Sequence, residues 1–233
     1  MSCLTAWMLA SIVVGAPGII PPPRISADTG TGLDLLQLDR VVRGSGTLEG
    51  SRIRPIKNTP VPRFEVLETG GRRVLRASGT GAAAWFHRRL LPEIREAGMG
   101  TLRWSWRVLR APEGADLRVR ERDDAPLRVF VVFGNPEAIF GGGGRIVFYT
   151  WGNGEPEGLT LPSFVSDRIE IVRLAGAAEV SPRWRNEVVH PFEDYRRIWN
   201  RDPPPITAIG LMQDTDMTQA SAVAELRQLN WHD

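Results

Sequence analysis

The sequence has a single cysteine, Cys3, and a single lysine, Lys57, in 233 residues. One cysteine cannot form a disulfide within the chain, and its place near the N-terminus leaves the rest of the protein without thiol chemistry. Almost all of the positive charge comes from arginine, and the formal net charge is only +2. Because these arginines alternate with acidic residues and form no basic run, the sequence disfavours nucleic-acid binding.

Most enzyme motifs are also missing. The histidines, His87, His190 and His232, stand far apart and show no metal-ligand spacing. The sequence contains no nucleophile-elbow serine, paired-histidine helix motif or catalytic-triad pattern. A glycine run at 141–144 precedes a predicted strand rather than a helix, so it lacks the helix N-terminus that a phosphate-binding loop needs. A carboxylate pair for glycoside hydrolysis stays open, because such a pair only has to be close in space.

The N-terminus lacks charge, since the first 23 residues carry none and residues 4–14 form a short apolar core. This pattern predicts a secretory signal segment cleaved after Ala16 or, because Pro17 fits poorly beside a cut, after Ala27. No basic residue precedes the apolar core, so an uncleaved membrane anchor is the alternative. We therefore expect a periplasmic or extracellular protein with a signal peptide or anchor at 1–27, a flexible lead at 28–32 and one domain at 33–233.

The segment 101–109 alternates with a period of two, which is typical of a β-strand. One set of side chains is apolar (Leu102, Trp104, Trp106 and Val108), and the other is polar (Arg103, Ser105 and Arg107). Two indoles on one face need a thick apolar layer opposite, which a second sheet provides. We therefore place Trp104 and Trp106 in the core between two sheets.

Further strand patterns continue to the C-terminus. Segments 63–67 and 72–77 form a hairpin across Gly70 and Gly71, and 127–133 is apolar on both faces, as in a central strand. Other predicted strands are 83–88, 145–151, 168–174, 184–190, 206–212 and 223–231, with a helix at 192–199 and a short helix or edge segment at 33–38. We predict an all-β, two-sheet antiparallel β-sandwich of jelly-roll type with one or two short helices.

Acidic residues follow one predicted strand and precede another. Asp214 and Asp216 can both turn toward a hard cation such as calcium, although capping of a turn is the interpretation that the spacing favours. Arg128 lies in an otherwise apolar strand, where a guanidinium needs a carboxylate partner or an open cleft. We expect that partner among Asp124, Asp214 and Asp216. The loop residues Arg122, Asp123 and Asp124 can bind a polar ligand such as a sugar. A solvated turn with a local ion pair is the interpretation that we favour for them.

Aromatic side chains offer a second kind of site, because exposed rings can stack on sugar rings. Tyr149 and Trp151 share one parity at the end of a predicted strand, just before Gly152. They are the best candidates for a stacking surface, although burial in the core is equally compatible with the pattern.

Several spaced motifs together resemble the DUF3047 family. They are Trp104 and Trp106; Arg122, Asp123, Asp124 and Arg128; Tyr149, Trp151 and Gly152; Trp184, Asn186 and Val188; Asp194 and Tyr195; and Asp214, Thr215, Asp216 and Thr218. The resemblance covers residues 60–231, and Met217 and Gln219 depart from the family pattern. It implies an exported bacterial protein with a jelly-roll, galactose-binding-like or carbohydrate-binding sandwich. The family has no assigned function, and its marked positions fall on Asp124, Arg128, Trp151, Asp194, Asp214 and Asp216.

The leading hypothesis is a non-catalytic exported module that recognises a glycan or another cell-envelope component. Its expected ligand-binding residues are Asp124, Arg128, Tyr149, Trp151, Asp194, Asp214 and Asp216. One alternative is a structural subunit or adaptor that docks on a membrane-associated complex, and another is an envelope saccharide hydrolase with a loop carboxylate pair. No cofactor is expected, except that calcium stays open at Asp214 and Asp216.

Overall fold

The computed structural model describes residues 33–38, 51–89, 100–135, 143–176, 180 and 182–232. They belong to one compact unit, Thr31–Asp233. The segments interpreted as signal peptide or anchor and as flexible lead lie outside the described residues, as does part of the glycine run. Within the described residues, no helix is long and apolar enough to cross a membrane.

Two β-sheets form the domain, and the predicted two-sheet sandwich of jelly-roll type is confirmed. The strands, in chain order, are β1 (Leu33–Asp34), β2 (Ser51–Pro55), β3 (Arg63–Thr69), β4 (Arg72–Thr80), β5 (Ala83–Arg89), β6 (Thr101–Arg110), β7 (Ala125–Phe133), β8 (Arg145–Trp151), β9 (Thr160–Ser163), β10 (Ser166–Ala175), β11 (Arg185–Val189), β12 (Ile206–Asp214) and β13 (Ser221–His232). The helix is α1 (Pro191–Trp199). Its start at a proline and its end before Asn200, which has a left-handed φ of 50°, follow the usual preferences of helix termini.

The six-stranded sheet has the order β11-β6-β13-β4-β3, with β1 paired to β13. Leu33 and Asp34 lie opposite Trp231 and Asn230, so the edge segment predicted within 33–38 is present at these two residues. The predicted hairpin is β3 and β4. Its two turn residues, Gly70 and Gly71, have φ values of 58° and 72°, as a two-residue turn with positive φ at both positions requires.

The seven-stranded sheet has the order β2-β5-β12-β7-β8-β10-β9. Its pairs are antiparallel except for β8 and β10, which run parallel. This exception to the predicted antiparallel pattern has a topological cause. After β8 the chain skips one strand position, forms β9 at the edge and returns as β10 between β8 and β9. The returning strand therefore has the same direction as β8.

The two sheets enclose the predicted indole layer. Trp104 and Trp106 are 2% and 0% exposed, and their ring centroids lie 5.4 Å apart in an edge-to-face arrangement. The central strand β7 is buried at all nine positions. Its inward-facing residues, such as Val129 and Val131, join the core between the sheets. Its outward-facing residues, such as Phe130, join a second apolar cluster on the outer side of the seven-stranded sheet.

Candidate functional site

The outer side of the seven-stranded sheet carries a cleft of about 830 Å³, which we call the outer cleft. Its apolar floor comes from Trp85 on β5, Met212 on β12, and Ile146 and Phe148 on β8. These residues occupy outward-facing positions, because side chains on a strand alternate between the two faces. The Trp85 ring lies 5.2 Å from the Phe148 ring and is only partly buried. The outer cleft thus has an aromatic surface that a ligand can reach.

Arg128 on β7 lies at the polar end of the outer cleft and is 2% exposed. Its Nη2 donates to Asp123 Oδ1 at 2.7 Å and to the Asp123 carbonyl at 3.1 Å. Its Nη1 lies 3.4 Å from Asp214 Oδ2, and its guanidinium carbon is 5.3 Å from the centroid of the Phe148 ring. The predicted requirement for a carboxylate partner in this apolar strand is met twice.

Asp123 is the partner that sequence reasoning missed. We predicted Asp124, Asp214 or Asp216, and of these only Asp214 forms an ion pair with Arg128. A 3₁₀ turn at Arg120–Arg122 precedes the two neighbouring aspartates, and the Asp124 N–H donates to the Arg122 carbonyl at 2.8 Å. This turn directs the Asp123 carboxylate toward Arg128 and the Asp124 carboxylate away from it.

In this ion-pair network, burial and the attraction between opposite charges shift the pKa of each group in opposite directions. Burial alone would lower the pKa of Arg128, but attraction to Asp123 and Asp214 outweighs it and raises that pKa. Burial raises the pKa of Asp123, and Arg128 offsets only part of the increase. Burial also raises the pKa of Asp214 well above its usual value, with Asp216 adding to the increase and Arg128 opposing it. The ion pairs therefore compensate only part of the cost of burying these charges.

Three carboxylates, Asp124, Asp214 and Asp216, form what we call the acidic cluster. One oxygen from each lies within 4.8 Å of the others. Asp124 accepts hydrogen bonds from the backbone N–H of Met217 at 3.1 Å and of Thr218 at 2.7 Å. Asp124 from a distant loop therefore caps the turn after β12. The side chains of Asp214 and Asp216, to which the favoured interpretation gave this role, cap none of its described N–H groups.

The acidic cluster offers ligands that suit a hard divalent cation. Asp214 is 8% exposed, and its buried Oδ1 has no hydrogen-bond partner. The hydrogen bond that Asp216 Oδ2 accepts within the described part of the chain is long, 3.3 Å from Thr59 Oγ1. Asp214 and Asp216 both line the outer cleft, and the two carboxylates repel each other, which a bound cation would relieve. The residues present thus fit a bound cation.

Tyr149 and Trp151 require a correction, because they cannot stack on a ligand. They are 0% and 1% exposed and belong to the core between the sheets. The alternation along β8 explains this, since Tyr149 and Trp151 have the inward parity, whereas Ile146 and Phe148 face the outer cleft. The accessible aromatic surface is thus Trp85, with the buried Phe148 ring packed beside it.

Asp194 also lies apart from the other predicted site residues. It is on α1, where its Oδ2 accepts a 2.8 Å hydrogen bond from the buried Tyr149 hydroxyl and its Oδ1 pairs with Arg197. Burial, together with the Asp194 charge, raises the pKa of Tyr149 well above its usual value. Asp194 is not among the described residues that line the outer cleft, so it satisfies a core hydroxyl instead.

We predict that Arg128→Leu destabilises the protein strongly. Loss of the guanidinium leaves Asp123 and Asp214 buried without compensation, which costs about 3–5 kcal/mol of unfolding free energy. Urea denaturation in the presence of EDTA measures the difference. Arg63→Leu is the control, since Arg63 pairs with Glu65 at the surface and is 75% exposed, so its loss costs at most about 1 kcal/mol. Equal losses of unfolding free energy in the two variants would contradict a stabilising role for the ion pairs of Arg128 with Asp123 and Asp214.

Solved structures of similar fold share little sequence with this chain. A family 11 carbohydrate-binding module of the cellulosomal cellulase Lic26A-Cel5E of Clostridium thermocellum has a TM-score of 0.41 at 11% identity, covering 81% of this chain and 88% of that chain. The family 11 xylanase from Neocallimastix patriciarum has a TM-score of 0.41 at 12% identity, with 78% and 90% covered. An agarase, AgWH50C, has a TM-score of 0.35 at 11% identity, with 87% and 24% covered. Matches this weak say nothing about what this chain binds.

No curated protein matches the sequence. A family model does match: DUF3047, described as a protein of unknown function, matches residues 52–230. This range includes Arg128, Asp123 and the whole acidic cluster. Since the match extends over more than half of the chain, the resemblance in the spaced motifs is confirmed, and the chain belongs to the DUF3047 family.

Proposed function

We propose that this protein is a non-catalytic binding module and that the outer cleft holds a glycan. One observation carries the proposal: a partly exposed indole, Trp85, lies beside the buried Arg128 network in a cleft of about 830 Å³. Binding sites for small organic ligands combine an apolar surface with a few fixed polar groups in this way. The apolar face of a sugar ring would pack on Trp85.

The polar end of the outer cleft supplies both kinds of hydrogen-bonding group that sugar hydroxyls require. Arg128 is a donor, while Asp214 and Asp216 are acceptors, and all three line the cleft. Hydrogen bonds to charged groups of this kind are stronger than those between neutral groups. Because Arg128 is held by two ion pairs, its direction is set before a ligand arrives, which lowers the entropic cost of binding.

The shape of the outer cleft favours an extended ligand. Its lining residues run from Trp85 on β5 to Ile169 on β10, across β12, β7 and β8. Four strand spacings of about 4.8 Å give a width of roughly 19 Å. This distance accommodates several linked sugar rings rather than one. Lys57 and Arg168 at the rim have no described ion-pair partner, so the proposal extends to glycans that carry carboxylates.

A hard divalent cation such as calcium at the acidic cluster is the second part of the proposal. It is supported by the buried Asp214 Oδ1, which has no hydrogen-bond partner, and by the proximity of one Asp214 oxygen to oxygens of Asp124 and Asp216. Backbone carbonyls and water would complete the coordination shell. The cation would hold the turn after β12 against the end of the outer cleft. The protein's own contribution is to bring the three carboxylates together.

Export to the periplasm or cell surface is the third part of the proposal, supported by the uncharged, apolar N-terminus. We expect the mature chain isolated from its native host to begin at Asp28, or at Pro17 if cleavage follows Ala16. The mass of the purified protein measures this directly. An intact N-terminus in the membrane fraction would instead favour the anchored adaptor, and co-migrating proteins in native purification would identify its complex.

We predict that Trp85→Ala weakens glycan binding about tenfold or more, since it removes the accessible aromatic surface. Isothermal titration calorimetry with soluble neutral glucans, xylans, uronic-acid polymers and envelope fractions measures the affinity. Trp184→Ala is the matched control, because Trp184 lies on the six-stranded side and stacks with Arg107 and Arg227. It should leave glycan affinity unchanged.

The same samples distinguish the glycan proposal from its competitors. Absence of binding across all of these saccharides would overturn it. Release of new reducing ends would favour the hydrolase hypothesis, in which Asp214 and Asp216 act as the carboxylate pair.

We predict that calcium raises the melting temperature of the wild-type protein relative to EDTA. At a calcium concentration of about one hundred times the dissociation constant, the gain in unfolding free energy is about 2.7 kcal/mol. Asp216→Asn should abolish most of this gain. Asp202→Asn is the control, because the Asp202 side chain is fully exposed at the surface. A melting temperature that is independent of calcium would overturn the proposed cation site.

A further inference from the structure

The outward face of the six-stranded sheet is rich in arginine. Glu225 on β13 is fully buried there and accepts hydrogen bonds from Arg76 on β4 and Arg107 on β6. Its Oε1 lies 2.5 Å from Arg76 Nη2, and its Oε2 lies 2.6 Å from Arg107 Nη2. Each carboxylate oxygen thus already has a guanidinium of its own. Glu225 is therefore not available to neutralise any further arginine on this face.

Arg227 lies two residues further along β13, on the same face, opposite Ser105. Its guanidinium lies 4.1 Å from the centroid of the Trp184 ring, which Arg107 also contacts at 4.6 Å. Within the described part of the chain, Arg227 has no carboxylate at ion-pair distance, and its buried Nε has no acceptor. Partial burial lowers the pKa of Arg227, and the charges of Arg72 and Arg107 lower it further.

Arg72 and Arg227 line a pocket of about 490 Å³, which we call the arginine pocket. Arg72 is exposed at the start of β4, and among the described residues it too has no carboxylate at ion-pair distance. Gln228 and Asn230 add amide groups to the pocket wall. Gln228 has a left-handed φ of 57°, at the place where β13 shifts register between Arg227 and Asn230. Such a bulge redirects side chains at the edge of a ladder.

Two acidic residues also line the arginine pocket, and both have other interactions. Asp34 Oδ1 accepts hydrogen bonds of 3.0 Å from the backbone N–H groups of Leu36 and Gln37. Glu68 lies opposite Arg73 on the neighbouring strand and has an interaction partner. Among the described residues, neither carboxylate forms an ion pair with Arg72 or Arg227.

We propose that the arginine pocket binds a phosphate or sulfate group, either free or as an ester on a larger molecule. A guanidinium offers a planar fork of donors that matches a tetrahedral oxyanion. Bound between Arg72 and Arg227, the anion gives Arg227 Nε an acceptor and relieves the repulsion between the two cations. The amides of Gln228 and Asn230 are further donors. This site lies on the opposite sheet from the outer cleft, so it does not depend on the glycan proposal.

The test is an NMR titration of the full chain at constant ionic strength. Inorganic phosphate and sulfate are added first, then glucose 6-phosphate and dextran sulfate. The signals followed are the Arg227 Nε–H and the Trp184 indole N–H, and we expect both to shift with a saturating dependence. Loss of one charge-assisted contact weakens binding about tenfold, so Arg72→Gln, at an exposed position, should raise the dissociation constant by about that factor.

Arg63→Gln is the matched control, since Arg63 belongs to the same sheet but pairs with Glu65. It should leave the anion affinity unchanged, as should Trp85→Ala in the outer cleft. Tighter binding of the esters than of the inorganic anions would identify an ester as the ligand, and equal affinities would identify the free anion. Absence of saturating shifts, or equal weakening by Arg63→Gln and Arg72→Gln, would overturn the proposal.

Discussion

The outer cleft depends on the ion pairs that the buried guanidinium of Arg128 forms. Arg128 lies on a strand that is buried at all nine positions, where a charge is tolerated only with partners at close range. Asp123 and Asp214 meet this need from two separate segments, the loop before β7 and the end of β12. Because both segments must converge on one side chain, Arg128 determines where they lie. The polar end of the outer cleft is the consequence.

Alternation along the strands gives the seven-stranded sheet two different faces. On β8, Tyr149 and Trp151 fill the core between the sheets, while Ile146 and Phe148 form part of the cleft floor. The inward face is closed by the other sheet and its indoles, so it contributes stability. On the outward face, Trp85 is only partly buried, which leaves apolar surface available to a ligand.

The buried charge networks on the two sheets have opposite compositions. On the seven-stranded sheet, Arg128 pairs with Asp123 and Asp214 at the polar end of the outer cleft, while Lys57 and Arg168 line its rim. On the six-stranded sheet, one carboxylate, Glu225, lies between Arg76 and Arg107, and the neighbouring Arg227 adds further positive charge. The central group of the buried network is thus a cation on one sheet and a carboxylate on the other, and both networks lie on the outward side of their sheet.

Alternating or continuous apolar patterns were sufficient to predict most of the strands and the burial of Trp104 and Trp106, but not the short strands β2 and β9. Gly70 and Gly71 predicted the hairpin. Each of these successes depends on neighbours within a few residues. The need of Arg128 for a partner also followed from local composition. Only the tertiary structure decided that Asp123 rather than Asp124 meets it, that β8 and β10 run parallel, and that Trp85 faces the cleft while Trp151 does not. These features depend on strand order and on the direction of a turn, which bring together side chains that are far apart in the chain.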